Sequence, residues 1–140
     1  MTSIQKWALA AVVIGMGVAG YLGLQGNKAD PQAQLIQQLE EIAQTVNAAL
    51  PITLDADTQL TAVKVDKQAL VYHYAFLTAV HDGTAPKQLI DQLRPALVEA
   101  ACTTPLTADL IQQGAQVRHV YTDSVGEHKV SITIGQFDCQ

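Results

Sequence analysis

The sequence predicts an α+β fold: an N-terminal transmembrane helix, then a helix and a four-stranded antiparallel sheet, built as two hairpins, with helices packed on one face. Three observations predict it. An uncharged apolar run opens the chain, the apolar spacing then switches twice from a helical to a strand period, and Gly, Pro and Asp punctuate each switch. The chain has 140 residues, roughly 110 of them beyond the first run, which leaves room for one modest core and no second domain.

Trp7 to Leu24 is free of charge and bracketed by Lys6 and Lys28. As a helix it would span about 27 Å, the thickness of one hydrocarbon core. Trp7 and Tyr21 stand near its two ends, where amphipathic rings favour the interface. Residues 1–6 then form a cytoplasmic N-terminus, 7–24 the membrane helix, 25–30 a linker and 31–140 an outer domain of a single-pass inner-membrane protein facing the periplasm. The alternative is a cleaved signal peptide with its site at Val18-Ala19-Gly20, which would leave the domain secreted or periplasmic. Both readings export the domain. Ala11, Gly15, Ala19 and Gly23 form a small-residue ridge through which two such helices would pair into a homodimer, although Gly and Ala are common in membrane segments anyway.

Asp30-Pro31 opens the outer domain with a capping carboxylate and a proline suited to a first helical turn. Leu35, Leu39, Ile42 and Val46 follow at helical spacing up to Pro51. Thr61, Val63 and Val65, then Val71 to Leu77, alternate around Asp66-Lys67-Gln68 and predict a hairpin. Thr84 and Pro86 start a helix through Leu89, Leu93, Leu97 and Ala101, with Pro95 inside it to kink it. Thr104-Pro105 begins a short helix closed by Gly114. Val117, His119 and Tyr121, and then Val130, Ile132 and Ile134, alternate about Asp123-Ser124-Val125-Gly126 as a second hairpin.

Two cysteines, Cys102 and Cys139, in an exported domain argue for one structural disulfide. The net charge is −5, and beyond Pro31 twelve carboxylates face six dispersed cations, so nucleic acid and anionic lipid headgroups are poor partners. His73, His81, His119 and His128 lack the spacing of a metal site, although His119 and His128 could meet across the last hairpin. Asp55, Asp57, Asp82, Asp123 and Glu127 read as turn residues rather than a calcium loop. Ser124 and Ser131 stand in no nucleophile elbow, and no phosphate loop is present. No catalytic residue, metal or cofactor is expected. Tyr72, Tyr74, Phe76 and Tyr121 form an aromatic stripe that is a candidate binding face if helices leave one side of the sheet open, and core packing otherwise.

Asp55-x-x-Thr58-x-Leu60, Leu70-x-Tyr72-x-Tyr74, Cys102, Gly114, Tyr121-x-Asp123-x-x-Gly126 and the terminal Asp138-Cys139 together resemble a group of uncharacterised exported bacterial envelope proteins. Members often carry an N-terminal membrane segment before a domain of this helix-and-hairpin order. The resemblance spans residues 50–140; it implies an envelope location and a disulfide, and no activity.

The leading expectation is a non-enzymatic, membrane-anchored envelope protein whose outer domain binds another protein. The alternative is a small-ligand sensor or carrier with a pocket between sheet and helices near Tyr72, His73 and Tyr74. A third is an enzyme with acid-base chemistry from Asp55, Asp57 or a histidine, which would need those groups in one cleft.

Overall fold

The computed structural model describes residues 30–140. Helix α1 (Pro31–Asn47) begins as its sequence requires: the Asp30 carboxylate accepts from the Gln32 N–H at 3.2 Å, and Pro31 occupies the first turn. Its apolar stripe, Leu35, Leu39, Ile42 and Ala43, is buried.

Five strands follow: β1 (Ile52–Thr53), β2 (Thr58–Asp66), β3 (Ala69–Phe76), β4 (Gln116–Thr122) and β5 (His128–Ile134). They lie side by side in chain order. The sheet differs from the expected four-stranded antiparallel one in two respects. A two-residue strand, β1, adds a fifth member at the edge, and β3 and β4 run parallel, with Tyr72 opposite His119 and Tyr74 opposite Tyr121, so the sheet is mixed. Each hairpin is set by its own turn, but the pairing between hairpins depends on where the intervening chain returns. Helices α2 (Pro86–Thr103) and α3 (Pro105–Gln112) carry it back along the sheet, as a parallel pair requires.

All three helices pack on one face. Leu70, Tyr74 and Phe76 of β3, and Tyr121 and Val130 of the second hairpin, share a cluster with Leu35, Leu39 and Ile42 of α1, Leu89 of α2 and Leu110 of α3. Ala101, Ile111, Val117, Ile132 and Ile134 form an adjoining cluster under α2 and α3. Asn47, the last residue of α1, covers the edge of β2 beyond its short pairing with β1, its side-chain amide donating to the Val63 carbonyl at 2.6 Å and accepting from the Val63 N–H at 2.9 Å.

Helix α3 ends where Gly114 adopts φ +104, a left-handed conformation that glycine takes without penalty. The Ala115 N–H then reaches back to the Leu110 carbonyl and the Gly114 N–H to that of Ile111, both at 3.0 Å, and β4 starts at once. Pro95 lies inside α2 on an exposed turn, and the helix runs through it.

After β5 the chain closes in a 3-10 turn, Gln136–Cys139. Cys139 is bonded to Cys102 near the end of α2, with Cα atoms 5.3 Å apart. Arg94 of α2 donates to Asp138 at 2.5 Å, and the other Asp138 oxygen accepts from the Gly135 N–H at 2.9 Å. Those bonds, the backbone one foremost, hold the Asp138 carboxyl below the usual carboxylate range.

Among the described residues no helix is long and apolar enough to cross a membrane. Residues 7–24, and with them the ridge at Ala11, Gly15, Ala19 and Gly23, lie outside the described residues.

The disulfide closes a loop with a sequence separation of 37. Reduction, or the pair Cys102→Ser and Cys139→Ser, is expected to lower unfolding free energy by up to about 4 kcal/mol through the entropy regained by the unfolded chain. Urea unfolding with and without reductant measures this, and the reduced wild type should match the double variant.

Candidate functional site

The aromatic stripe faces the helices. Tyr74, Phe76 and Tyr121 are buried and Tyr72 is half-buried. Their rings form a layer over the central strands, with Tyr74 and Tyr121 centroids 4.6 Å apart, Phe76 and Tyr121 5.3 Å, and His119 at 5.5 Å from Tyr72 and 5.7 Å from Tyr74. Leu35, Leu39 and Ile42 pack in one core cluster with Tyr74, in the region where the alternative reading puts a ligand pocket. The Tyr74 hydroxyl and His119 Nδ1 are 2.9 Å apart, so each buried polar group satisfies the other. Burial lowers the His119 pKa to about 4, raises that of Tyr72 to about 12, and pushes the Tyr74 phenol higher still. Both members of the pair are neutral near pH 7.

The histidines do not converge. His73 lies on the opposite, helix-free face, where desolvation and then Lys64 lower its pKa. His119 is in the core, and His128 pairs in register with Thr122 rather than meeting it. His128 Nε2 instead contacts the Ser131 hydroxyl at 2.8 Å. Among the described residues no group of three or more His, Cys, Asp or Glu could hold a metal ion.

The carboxylates of the turns organise backbone. Asp55 accepts from the Asp57 N–H at 2.8 Å, and Asp57 accepts from the Thr78 hydroxyl at 2.8 Å. The Asp123 Oδ1 accepts from the N–H groups of Val125 and Glu127 at 3.1 and 2.9 Å. Asp82 bridges two loops, accepting from both the N–H and the hydroxyl of Ser124, and these bonds hold its carboxyl below the usual range.

These bonds gather three loops at one end of the sheet. Residues 54–57 precede β2, 77–84 follow β3 and 123–127 join β4 to β5. The Leu77 N–H donates to the Asp57 carbonyl at 2.7 Å, and Lys129 Nζ to the Asp82 carbonyl at 2.9 Å. From these loops Leu54, Leu77, Val80 and Val125 project with 46 to 73 % of their surface exposed. The stripe supports them from below: Phe76 packs on His81 at 4.6 Å, and Asp55 lies near enough to Tyr121 to help raise its pKa, after burial, to about 12. The sequence does carry a trace of this surface, in Val80 and Val125, lone large apolar residues inside turn segments. Such positions favour polar residues unless the side chain meets something.

At the other end Phe137 is 90 % exposed on its 3-10 turn. Two shallow depressions lie there, of about 350 Å³ among Asp66, Gln68, Gly114 and Arg118 and about 300 Å³ beside the disulfide.

No protein-family model matches the chain, and no curated protein matches it. Solved structures do. A protein of Pseudomonas aeruginosa assigned as secreted aligns with TM-score 0.70 and 16% identity over 81% of this chain and 100% of its own. The pilotin EpsS of the Vibrio vulnificus type 2 secretion system aligns with TM-score 0.66 and 17% identity, over 79% of this chain and 96% of the pilotin. The type II secretion system pilotin of Vibrio cholerae aligns with TM-score 0.64 and 13% identity, over 79% and 97%. The likeness is one of fold.

A histidine whose folded pKa lies below its unfolded value of about 6.5 binds protons more readily in the unfolded chain, so its contribution is present above pH 6.5 and lost as pH falls toward the folded value. For His119, lowered to about 4, unfolding free energy should fall by about 3 kcal/mol between pH 6.5 and 4. His119→Gln should flatten that window, as read from urea unfolding at a series of pH values. The drop below it, where Asp138 and Asp82 titrate, should remain.

Proposed function

We propose that this chain is a non-enzymatic protein-binding component of the bacterial envelope, exported by its N-terminal apolar segment, and that it holds its partner at the three-loop end of the sheet. The observation that carries this reading is the exposure of Leu54, Leu77, Val80 and Val125 on loops locked to one another by Asp57 and Asp82. Side chains held out in water on a preformed backbone lose little entropy on binding, and large apolar anchors supply most of the affinity of an interface. The fold shared with two pilotins supports a partner within a secretion apparatus, and the Cys102–Cys139 disulfide supports an oxidising compartment. Catalysis is disfavoured by the arrangement of the acid-base groups, since Asp55 and Asp57 are spent on turns, His73 and His119 occupy opposite faces of the sheet, and the His81 ring packs on Phe76. The aromatic stripe then serves as the floor beneath the binding surface.

Photo-cross-linking in the source bacterium tests the reading. Benzoylphenylalanine at Val80 or Val125 should give adducts of one discrete size, and the exposed positions Gln37 and Gln92 on α1 and α2 should not. Leu77→Asp, a change at an exposed position that should cost the fold little, should reduce the Val80 adduct about tenfold or more. Absence of loop adducts, or the same adducts from all four positions, would overturn it.

A further inference from the structure

We infer that the partner segment seated on the three-loop surface is cationic, with apolar side chains that insert among Leu54, Leu77, Val80 and Val125 and lysines or arginines that face the surrounding carboxylates; this inference rests on the reading above. The loops at 54–57, 77–84 and 123–127 contain Asp55, Asp57, Asp82, Asp123 and Glu127 and no lysine or arginine. They therefore hold as much negative charge as the whole chain carries in net terms, −5. The nearest cations in the chain are Lys87, in the first turn of α2, and Lys129, at the start of β5, whose Nζ reaches the Asp82 carbonyl.

The two ion pairs among the described residues are elsewhere. Arg94 is engaged by Asp138 beside the disulfide, and Arg118 by Asp66 at the β2–β3 turn. Both arginines are thus neutralised at the far end of the sheet. Asp55, Asp57, Asp82 and Asp123 accept hydrogen bonds from uncharged N–H and hydroxyl groups, and the one cation among the described residues that reaches them is Lys129, bonded to the Asp82 carbonyl at 2.9 Å, so most of the negative charge at the loops is left without a paired cation. An apolar centre within a negative border selects a complementary segment, one with apolar residues flanked by positive charge. It also disfavours two other occupants of an exposed apolar surface. An anionic lipid surface would be repelled, and a second copy seated face to face would bring like charges together.

Three synthetic peptides with identical leucines and either Lys, Gln or Glu between them are the probes, titrated into the full chain by fluorescence anisotropy. The Lys peptide should bind at least about tenfold more tightly than the Gln peptide, and the Glu peptide most weakly. The advantage should shrink as salt rises from about 50 to about 300 mM and the charges are screened. Asp55→Asn with Glu127→Gln, which removes two charges while the Asn carbonyl can still accept from the Asp57 N–H, should weaken the Lys peptide several-fold and leave the Gln peptide unchanged. Val125→Ser, which removes the apolar anchor without adding charge, should weaken the Lys and Gln peptides alike, and circular dichroism of each variant should match the wild type.

Equal affinity for all three peptides, or an advantage insensitive to both salt and the double variant, would overturn the cationic partner while leaving protein binding at the loops standing. Loop-dependent dimerisation in analytical ultracentrifugation would assign the surface to a second copy and overturn it as well. Failure of the cross-linking at Val80 and Val125 is the separate result that removes the underlying reading.

Discussion

A parallel pair of strands cannot be joined by a hairpin, so once β3 and β4 lie side by side in the same direction the chain between Phe76 and Gln116 has to return along the sheet. Helices α2 and α3 make that return, and in doing so cover the half of the sheet that α1 does not reach. The same pairing sets the two β-strand exits next to each other. The segment leaving β3 meets the β4–β5 turn, which is why Asp82 can reach Ser124, and antiparallel β2 brings its own preceding turn to the same place, where Asp57 meets Leu77 and Thr78. A purely antiparallel sheet would have sent the β3 and β4 exits to opposite ends.

The two ends of the sheet are consequently held by different forces. At the end where β5 finishes, a covalent bond, the Arg94–Asp138 pair and the short turn around Gly135 fix the last residues to α2. At the loop end, single carboxylates order the backbone by accepting from N–H and hydroxyl groups. Such bonds set shape without covering apolar side chains, so Leu54, Leu77, Val80 and Val125 remain in water. Beneath them the stacked rings of Phe76, Tyr121 and Tyr74 supply stiffness that loops of this length lack by themselves.

Much of the local structure was legible in the sequence because its causes are local. Asp30-Pro31, the glycine after α3 and the period-two runs of both hairpins each announce a neighbouring element, and the two cysteines announce their bond. The parallel pairing was not legible, since nothing in either hairpin records which way the other arrives. Nor was β1, two residues long and visible only through its pairing with Leu60 and Gln59. For the site, the aromatic stripe was easy to see and ambiguous in meaning: on β3 both sets of alternating residues are apolar, so period alone cannot say which set the helices cover. The loop residues carry the opposite problem. Val80 and Val125 are lone large apolar residues among turn formers, Leu77 reads as the end of its strand and Leu54 as a neighbour of Ile52, and only the topology brings the four to one end.

The helix-free face of the sheet offers the other broad surface, and its composition explains why it makes a poorer anchor. Ala62, Ala75 and Val120 are short and half-buried, Val71 is buried, and Lys64 and Arg118 flank Val71 in register on the two neighbouring strands. A flat array of small side chains gains little area when another protein approaches. Val125 differs in kind, because the Asp123 carboxylate holds the N–H groups of Val125 and Glu127 and Gly126 takes φ +87, so the turn is formed before anything binds. With 73 % of its surface exposed, its side chain retains most of the area that burial in a partner would remove from water. The loop surface therefore combines protruding apolar groups with a backbone already ordered, which is the combination that lets a small contact area produce a specific complex.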